Sequence, residues 1–172
     1  MTLSIIIVNY HSEESLRVCL SGLTALAADH PVEILVFDNG SSSELFYPLK
    51  ADFPTVRWIQ PGSNLGFGKA CNLAAASAKG NHILFLNPDT ILAGSALSSI
   101  LKTVARPPLD GSIVGLNILN SDGSPQYSAR SVPDWRSAIA NRYSLVTRLA
   151  PGNPWSRRYL RCSDNREQTR QV

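Results

Sequence analysis

The sequence predicts an α/β fold in which a mostly parallel sheet is flanked by helices. Short apolar runs alternate with amphipathic helical patterns, and such alternation implies parallel strands joined by crossover helices. The clearest run, residues 83–86, is followed at once by Asn87-Pro88-Asp89. Four consecutive apolar residues predict a strand buried on both faces, and Pro88 ends it because proline cannot donate to a sheet ladder. Asp89 is therefore expected just past the carboxyl end of that strand, where open α/β sheets bind ligands.

Composition is that of a globular chain. Its 172 residues are 44% hydrophobic and 17% charged, enough for one domain with a substantial core. No apolar run approaches the roughly 18 residues of a membrane span, and the apolar start at residues 3–8 lacks the basic leader of a signal peptide. Three scattered cysteines, Cys19, Cys71 and Cys162, form no CxxC pair. Neither a zinc site nor a disulfide framework is expected, and reduced thiols in a cytoplasmic protein are the default.

The net charge of +3 conceals an asymmetry along the chain. Residues 1–129 carry a net charge of −3, whereas residues 130–172 hold 9 arginines against 3 acidic residues, a net charge of +6. The basic end could meet an anionic membrane surface or a phosphate-bearing substrate. A solvated tail explains the same pattern equally well.

The first 40 residues predict two strands with a helix between them. The β-branched run at residues 3–8 predicts a buried strand that ends in Asn9-Tyr10-His11. Ser12 can cap a helix with acidic residues in its first turn, as the helix dipole prefers. Apolar side chains then recur at helical spacing, at Leu16, Cys19, Leu20, Leu23 and Leu26. A second strand follows at residues 32–37 and leads into Asp38-Asn39-Gly40.

The same pattern continues with weaker signals. Residues 56–59 predict a third strand, and an alanine-rich helix over residues 67–79 ends at Gly80, a favourable C-terminal glycine. A further helix over residues 95–104 stops before Pro107-Pro108.

Beyond residue 110 the pattern weakens further. Residues 112–116 predict a strand, and residues 117–127 predict a hairpin that turns at Asp122-Gly123. Residues 135–149 predict a helix, and the polar sequence from Arg161 onward predicts disorder.

Polar clusters follow each of the four strands, and parallel strands bring all of them to one edge of the sheet. They include Asn9, Asp38, Asn64 and Asp89. A polar cleft with a carboxylate suited to a hard cation would fit a nucleoside diphosphate. The alternative is that these are the ordinary polar loops of a packed α/β domain.

Three known phosphate motifs can be excluded. The segment Gly62-Ser63-Asn64-Leu65-Gly66-Phe67-Gly68-Lys69-Ala70 has one residue too many for a P-loop and lacks its final Ser or Thr. It does not match GxGxxG either. Asn87-Pro88-Asp89-Thr90 echoes the aspartyl-phosphatase pattern DxDxT, but the amide of Asn87 cannot serve as the nucleophile.

Four motifs in order resemble the inverting family 2 glycosyltransferases with a GT-A fold, and within them the rhamnosyltransferase-like branch. They are Ser4-Ile5-Ile6-Ile7-Val8-Asn9-Tyr10, Val36-Phe37-Asp38-Asn39-Gly40-Ser41, Asn64-Leu65-Gly66-Phe67-Gly68 and Phe85-Leu86-Asn87-Pro88-Asp89. The resemblance covers roughly residues 3–130. It implies a Rossmann-like GT-A nucleotide-sugar-binding fold that is truncated, with the donor-binding N-terminal part present.

The resemblance also implies roles for single residues. Asn9 and Tyr10 would line the base and ribose site, Asp38 would hold a uracil- or thymine-type base or its ribose, and Asp89 would bind Mg²⁺ or Mn²⁺. The full set implied for the nucleotide sugar is Val8, Asn9, Tyr10, Asp38, Asn39, Ser41, Asn64, Gly66, Phe67, Asn72, Asn87 and Pro88.

Two departures from the family pattern matter. Asn87 stands where an Asp is commoner, so metal binding should be weaker or should depend on the substrate's phosphates. The acceptor half, which supplies the catalytic base in the family, is expected beyond Val172. No catalytic residue is therefore assigned, and the isolated chain is expected to be inactive. The implied organisation is a donor-binding domain at residues 1–130, a partial acceptor-side or helical extension at 131–160 and a disordered tail at 161–172.

The leading hypothesis is a glycosyltransferase domain that binds a dTDP-, UDP- or GDP-linked sugar. It would serve inverting transfer, with rhamnose as a candidate sugar, to a polysaccharide or lipid-linked acceptor in cell-surface polysaccharide synthesis. Its expected setting is the cytoplasm, including the inner face of the membrane, with a homodimer as a candidate assembly and no nucleic-acid partner. The alternative is a non-catalytic interaction or scaffold module on the same fold. A nucleotidylyltransferase would need a glycine-rich basic segment that residues 9–15 lack.

Overall fold

The computed structural model describes residues 3–41, 43–106, 111–120, 122–124, 126, 145–150 and 154. The chain forms two compact units, Met1–Asp110 and Gly111–Val172. In the first unit, strands and helices alternate along the chain. In chain order they are β1 (Leu3–Asn9), α1 (Glu13–Ala27), β2 (Val32–Asp38), α2 (Ser43–Asp52), β3 (Arg57–Ile59), α3 (Phe67–Ser77), β4 (His82–Leu86) and α4 (Ala96–Val104).

The four strands form one parallel sheet in the order β3-β2-β1-β4. In the register of β1 with its neighbours, Asn9 lies opposite Asp38 and Ile7 opposite Leu86. The carboxyl ends of the strands therefore share one edge, and the predicted α/β class with a parallel sheet is confirmed.

Both faces of the sheet are covered by helices. On one face, Leu3, Ile5 and Ile7 of β1 belong to a buried cluster with apolar side chains of α1, α2 and α4. On the other face, alternate strand residues pack against the alanines of α3, and this second cluster comprises Ile6, Val8, Leu35, Phe37, Ala70 and Ala74. The period of two along β1 thus divides its side chains between two cores.

Helix α2 is absent from the sequence prediction. Pro48 lies inside it, and an internal proline removes a backbone donor and argues against a helix. Tertiary packing overrides that preference, because Phe46 and Leu49 are buried, three residues apart on one helical face. The Phe46 ring meets the Trp58 ring edge-on, with centroids 5.2 Å apart.

The prediction that residues 83–86 are buried on both faces is wrong for one of the two faces. Ile83 is 41% exposed and Phe85 is 51% exposed. β4 is the last strand of the described sheet, and Phe85 lies opposite Ile6, on the face that α3 covers over β1 and β2. An apolar run records hydrophobicity, but it does not specify how far a helix in another part of the chain extends across the sheet.

In the second unit, the predicted strand at residues 112–116 is wrong. The described residues 111–116 form no strand, and the Ile113 side chain is 99% exposed. The predicted hairpin turn is confirmed over its described residues. The backbone N–H of Asn120 donates to the Ser124 carbonyl, and the backbone N–H of Gln126 donates to the Ile118 carbonyl. Gly123 has a φ of +80°, as a turn glycine can adopt.

Helix α5 (Leu145–Leu149) falls within the helix predicted over residues 135–149. The rest of that prediction, the expected disorder from Arg161 onward and Cys162 lie outside the described residues. Among the described helices, none has the length and apolar character that crossing a membrane requires.

Candidate functional site

The site begins where β1 and β2 end. Asn9 and Asp38 are the last residues of their strands, lie opposite each other and are fully buried. The backbone N–H of Asn39 donates to the Asn9 carbonyl across 2.7 Å, which continues the pairing one residue past the strands. The sheet register therefore decides which two polar side chains meet here.

A first hydrogen-bond network joins these strand ends to β3. The Asn9 Nδ2 donates to Asp38 Oδ1 at 3.3 Å and to Ser41 Oγ at 2.8 Å. Asp38 Oδ2 accepts from the Ser41 backbone N–H and from Gln60 Nε2, each at 3.3 Å. Gln60 was not among the predicted site residues, and its only signal in the sequence is that it directly follows the third predicted strand.

Asn9 also holds an unsatisfied acceptor. Among the described residues its Oδ1 is buried and receives no hydrogen bond. A buried acceptor without a donor costs roughly 1–3 kcal/mol. Such a cost at the ligand-binding edge of an α/β sheet is typical of a site prepared for a polar group from outside the chain.

A second network fixes the loop that precedes α3. Asn39 Nδ2 donates to Asn64 Oδ1 at 3.0 Å, and Asn39 Oδ1 accepts from the Leu65 N–H at 2.8 Å. Asn64 Oδ1 also accepts from the Gly66 N–H at 2.8 Å. The predicted site residues Asn39, Asn64 and Gly66 are thereby brought together.

Helix α3 begins at this loop without a side-chain cap. Its N-cap residue is Gly66, which has no side chain to cap the helix and whose φ of +80° favours glycine. Unpaired N–H groups and the helix dipole make such an end partially positive. Phe67 stands 64% exposed beside it. Asn72 lies further along α3, also exposed.

Asp89 lies past the end of β4, in a turn closed by a 3.1 Å hydrogen bond from the Thr90 N–H to the Asn87 carbonyl. Asn87 and Asp89 are exposed, and Pro88 is half-buried. Burial, reinforced by the negative charge of Asp89, raises the pKa of the Cys19 thiol to about 11. The negative charge of Asp89 thus acts on Cys19 of α1, whereas among the described residues no hydrogen bond joins Asp89 to the two networks.

Metal binding by this part of the chain would rest on few protein ligands. Within the described residues, no group of three or more His, Cys, Asp or Glu side chains is placed to hold a metal ion. Asp89 offers one carboxylate, which fits a hard divalent cation only if a bound ligand supplies most of the remaining oxygen atoms.

The remaining predicted residues flank the networks. Val8 belongs to the core beneath α3. Tyr10 is 49% exposed, and its ring centroid lies 4.4 Å from that of His11. An exposed ring at this position is available to an aromatic ligand.

Two relatives match most of this chain. The N-acetylglucosaminyl-diphospho-decaprenol L-rhamnosyltransferase of Mycobacterium tuberculosis is 29% identical over 169 residues, which are 91% of this chain and 53% of the relative. The Low-salt glycan biosynthesis hexosyltransferase Agl10 of Haloferax volcanii is 33% identical over 127 residues, which are 72% of this chain and 38% of the relative. The chain therefore spans about half the length, or less, of these curated relatives.

Solved structures share the fold. Residues 1–349 of the TarS protein of S. aureus, in complex with UDP-GlcNAc, superpose with a TM-score of 0.53 at 24% identity, covering 60% of this chain and 31% of that TarS chain. The mannosyltransferase PcManGT of Pyrobaculum calidifontis, in complex with GDP-Man and Mn²⁺, gives a TM-score of 0.53 at 19% identity, covering 61% and 32%. The family model for glycosyl transferase family 2 matches residues 4–166. With a parallel sheet whose polar carboxyl edge carries the four motifs, and with a family match over nearly its whole length, this chain belongs to glycosyl transferase family 2.

Proposed function

We propose that this chain binds a nucleoside-diphosphate sugar at the carboxyl edge of its sheet, as the donor-binding part of an inverting glycosyltransferase. The observation that carries the proposal is the hydrogen-bond network around the buried Asn9 and Asp38, which the half-buried Ser41 and the exposed Gln60 complete. Among the described residues, none donates to Asn9 Oδ1. A uracil- or thymine-type base, or a ribose hydroxyl, carries N–H or O–H donors for such an acceptor.

The nucleotide's two ends would use different parts of the site. Base and ribose would lie against the ends of β1 and β2, with the exposed Tyr10 ring beside them. The diphosphate would lie between the uncapped start of α3 and the Asp89 turn. Asp38 is buried and accepts three hydrogen bonds, one on Oδ1 and two on Oδ2. A carboxylate can accept about four, so Asp38 would contact the ligand through the remaining position on Oδ1 or where Gln60 or Ser41 yields a bond.

Asp89 would hold Mg²⁺ or Mn²⁺ together with the diphosphate. When bound, the cation supplies positive charge that stabilises the leaving diphosphate. The mannosyltransferase neighbour, whose structure is in complex with GDP-Man and Mn²⁺, supports the use of a divalent cation. Asn87 contributes an amide where a second carboxylate would bind more strongly, so the cation should bind well only in the presence of nucleotide.

For the whole protein, we propose sugar transfer to a lipid-linked or polysaccharide acceptor, with rhamnose as the candidate sugar. The support is the rhamnosyltransferase relative, whose name includes a decaprenol-linked substrate. Transfer needs a base for the acceptor hydroxyl, and no described residue is assigned that role.

Titration calorimetry with UDP, dTDP and GDP, each with Mn²⁺ and with EDTA, tests donor binding. We expect at least one nucleotide to bind with Mn²⁺ and to bind more weakly in EDTA. Failure of all three to bind a folded sample would contradict the proposal and favour the interaction-module hypothesis.

Asp38→Asn keeps the size of the side chain and removes the charged acceptor, and Asp38→Ala removes both. Each should weaken nucleotide binding even in EDTA, because the proposed base and ribose contacts need no metal. Asp52→Ala on α2 is the matched control, since that carboxylate is exposed and pairs with Arg17. A loss confined to the Mn²⁺ titrations would contradict the role of Asp38.

A further inference from the structure

We propose that Asn39 is a positioning residue, which holds the loop before α3 in its binding-competent shape and does not itself contact the nucleotide. This inference rests on the proposed function, because the loop matters only if it borders the donor. It changes the role that the family resemblance implies for Asn39, which is contact with the nucleotide sugar.

Burial and hydrogen bonding support the assignment. Asn39 is 3% exposed, so its side chain offers almost no surface to a ligand. Its amide nitrogen donates to Asn64 Oδ1 and its amide oxygen accepts from the Leu65 N–H. Both ends of the amide are therefore occupied by the loop.

The loop needs such an anchor. Gly62 and Gly66 both have positive φ, and residues 60–64 are exposed, so local packing does little to fix the backbone. The backbone after β2 also comes close to this loop. A Cβ on Gly40 would lie 3.1 Å from the Asn64 backbone nitrogen, and the φ of Gly40 is +105°.

The side chains of Asn39 and Asn64 differ in their hydrogen bonding, because Asn39 both donates and accepts whereas, among the described residues, Asn64 only accepts. This difference allows a sharp test. Asn64 Oδ1 only accepts hydrogen bonds, from Asn39 Nδ2 and from the Gly66 N–H. Asn64→Asp keeps both acceptor bonds. Asn39→Asp keeps the bond from the Leu65 N–H but loses the donor to Asn64. Alanine at either position removes both bonds that the side chain makes.

Amide hydrogen exchange measures, without any ligand, how firmly the side chains of Asn39 and Asn64 hold the loop before α3. In Asn39→Ala, the amide of Leu65 should exchange roughly ten-fold faster than in the parent, because it loses its acceptor. In Asn64→Ala the amide of Gly66 should respond similarly, and in Asn64→Asp it should exchange at the parent rate. An unchanged Leu65 rate in a folded Asn39→Ala sample would overturn the proposal.

A double-mutant cycle separates positioning from direct contact. Calorimetry with UDP, dTDP and GDP in Mn²⁺ should show that Asn39→Ala and Asn64→Ala each weaken binding roughly ten-fold. The double variant should lose less than the roughly hundred-fold expected of independent effects, because the two side chains share one hydrogen bond and hold the same loop. Additive losses would mean that Asn39 contacts the nucleotide independently, and would overturn the inference while leaving the proposed function intact. A parent protein that binds none of the three nucleotides would overturn the proposed function. The exchange rates would still show whether Asn39 holds the loop before α3.

Discussion

The hydroxyl of Ser4 on β1 donates a 2.7 Å hydrogen bond to Glu33 Oε2 on β2, its direct neighbour in the sheet register. The same hydroxyl accepts from the Gly80 N–H at 2.9 Å, and Glu33 accepts from the Lys79 N–H at 2.8 Å and from Arg57 at 3.0 Å. One buried carboxylate thus joins β1, β2, β3 and the connection that leads into β4. The network lies at the end of the sheet opposite the candidate site.

Glu33→Ala should lower the free energy of unfolding by about 2 kcal/mol, because Ser4, the Lys79 N–H and Arg57 all lose their shared acceptor. Chemical denaturation at neutral pH measures this. The matched control is Asp52→Ala, which removes an exposed ion pair with Arg17 and should cost at most about 1 kcal/mol. Equal losses in the two variants would contradict a special role for the buried network.

Glu33 should also make stability depend on pH in the acid range. Burial alone would raise its pKa, but hydrogen bonds from Ser4, the Lys79 N–H and Arg57, together with the Arg57 charge, outweigh it and hold the pKa of Glu33 below its ordinary value. The unfolded chain therefore binds a proton that the folded chain resists. This contribution is complete above the ordinary glutamate pKa and is lost as the pH falls through the lowered one.

Urea midpoints measured between about pH 6 and pH 3 test this titration. The parent should lose stability more steeply than Glu33→Gln, which cannot titrate at this position. Comparing the two proteins cancels the contribution that other carboxyl groups make to the pH dependence of stability. Asp122 is one of these groups, and its pKa is lowered mainly by a hydrogen bond from the Ser124 side chain. Parallel curves would show that Glu33 does not contribute.

Gly80→Ala should destabilise the fold through direct backbone collision. A Cβ there would lie 2.6 Å from the Ser4 nitrogen and 2.7 Å from the Leu3 carbonyl carbon, and neither backbone atom can move without disturbing β1. Gly22→Ala is the control, since nothing lies within 4 Å of its Cβ position inside α1. That change should stabilise the protein by up to about 1 kcal/mol. Thermal melts of both variants should therefore shift in opposite directions.

Asp89→Ala should abolish the metal-dependent part of nucleotide affinity and leave stability within about 0.5 kcal/mol of the parent, because the side chain is exposed. Calorimetry with and without EDTA, alongside a thermal melt, measures both quantities. Asp29→Ala, at another exposed carboxylate, is the control. A variant that binds nucleotide with Mn²⁺ as tightly as the parent would show that Asp89 is not the metal ligand.

The strands that carry the candidate site could be predicted from their sequence. In β1 and β2, the apolar runs are ended by Asn9 and by Asp38-Asn39-Gly40, and parallel pairing then brings these residues to one edge. These signals are local, because β-branched runs and polar strand ends are encoded by neighbouring residues. The turn at Asp122-Gly123 was predictable for the same reason, since Gly123 adopts its positive φ within the turn itself.

The tertiary structure alone decided the features that depend on distant parts of the chain. Helix α2 forms despite Pro48 because Phe46 finds a buried place beside Trp58. Phe85 remains exposed because α3 covers β1 and β2 and does not extend over β4. The pairing of Asp38 with Gln60 and of Asn39 with Asn64 joins residues more than 20 positions apart. A residue's own sequence neighbourhood carries its hydrophobicity and backbone preference, whereas its partners are set by the packing of helices and strands encoded elsewhere.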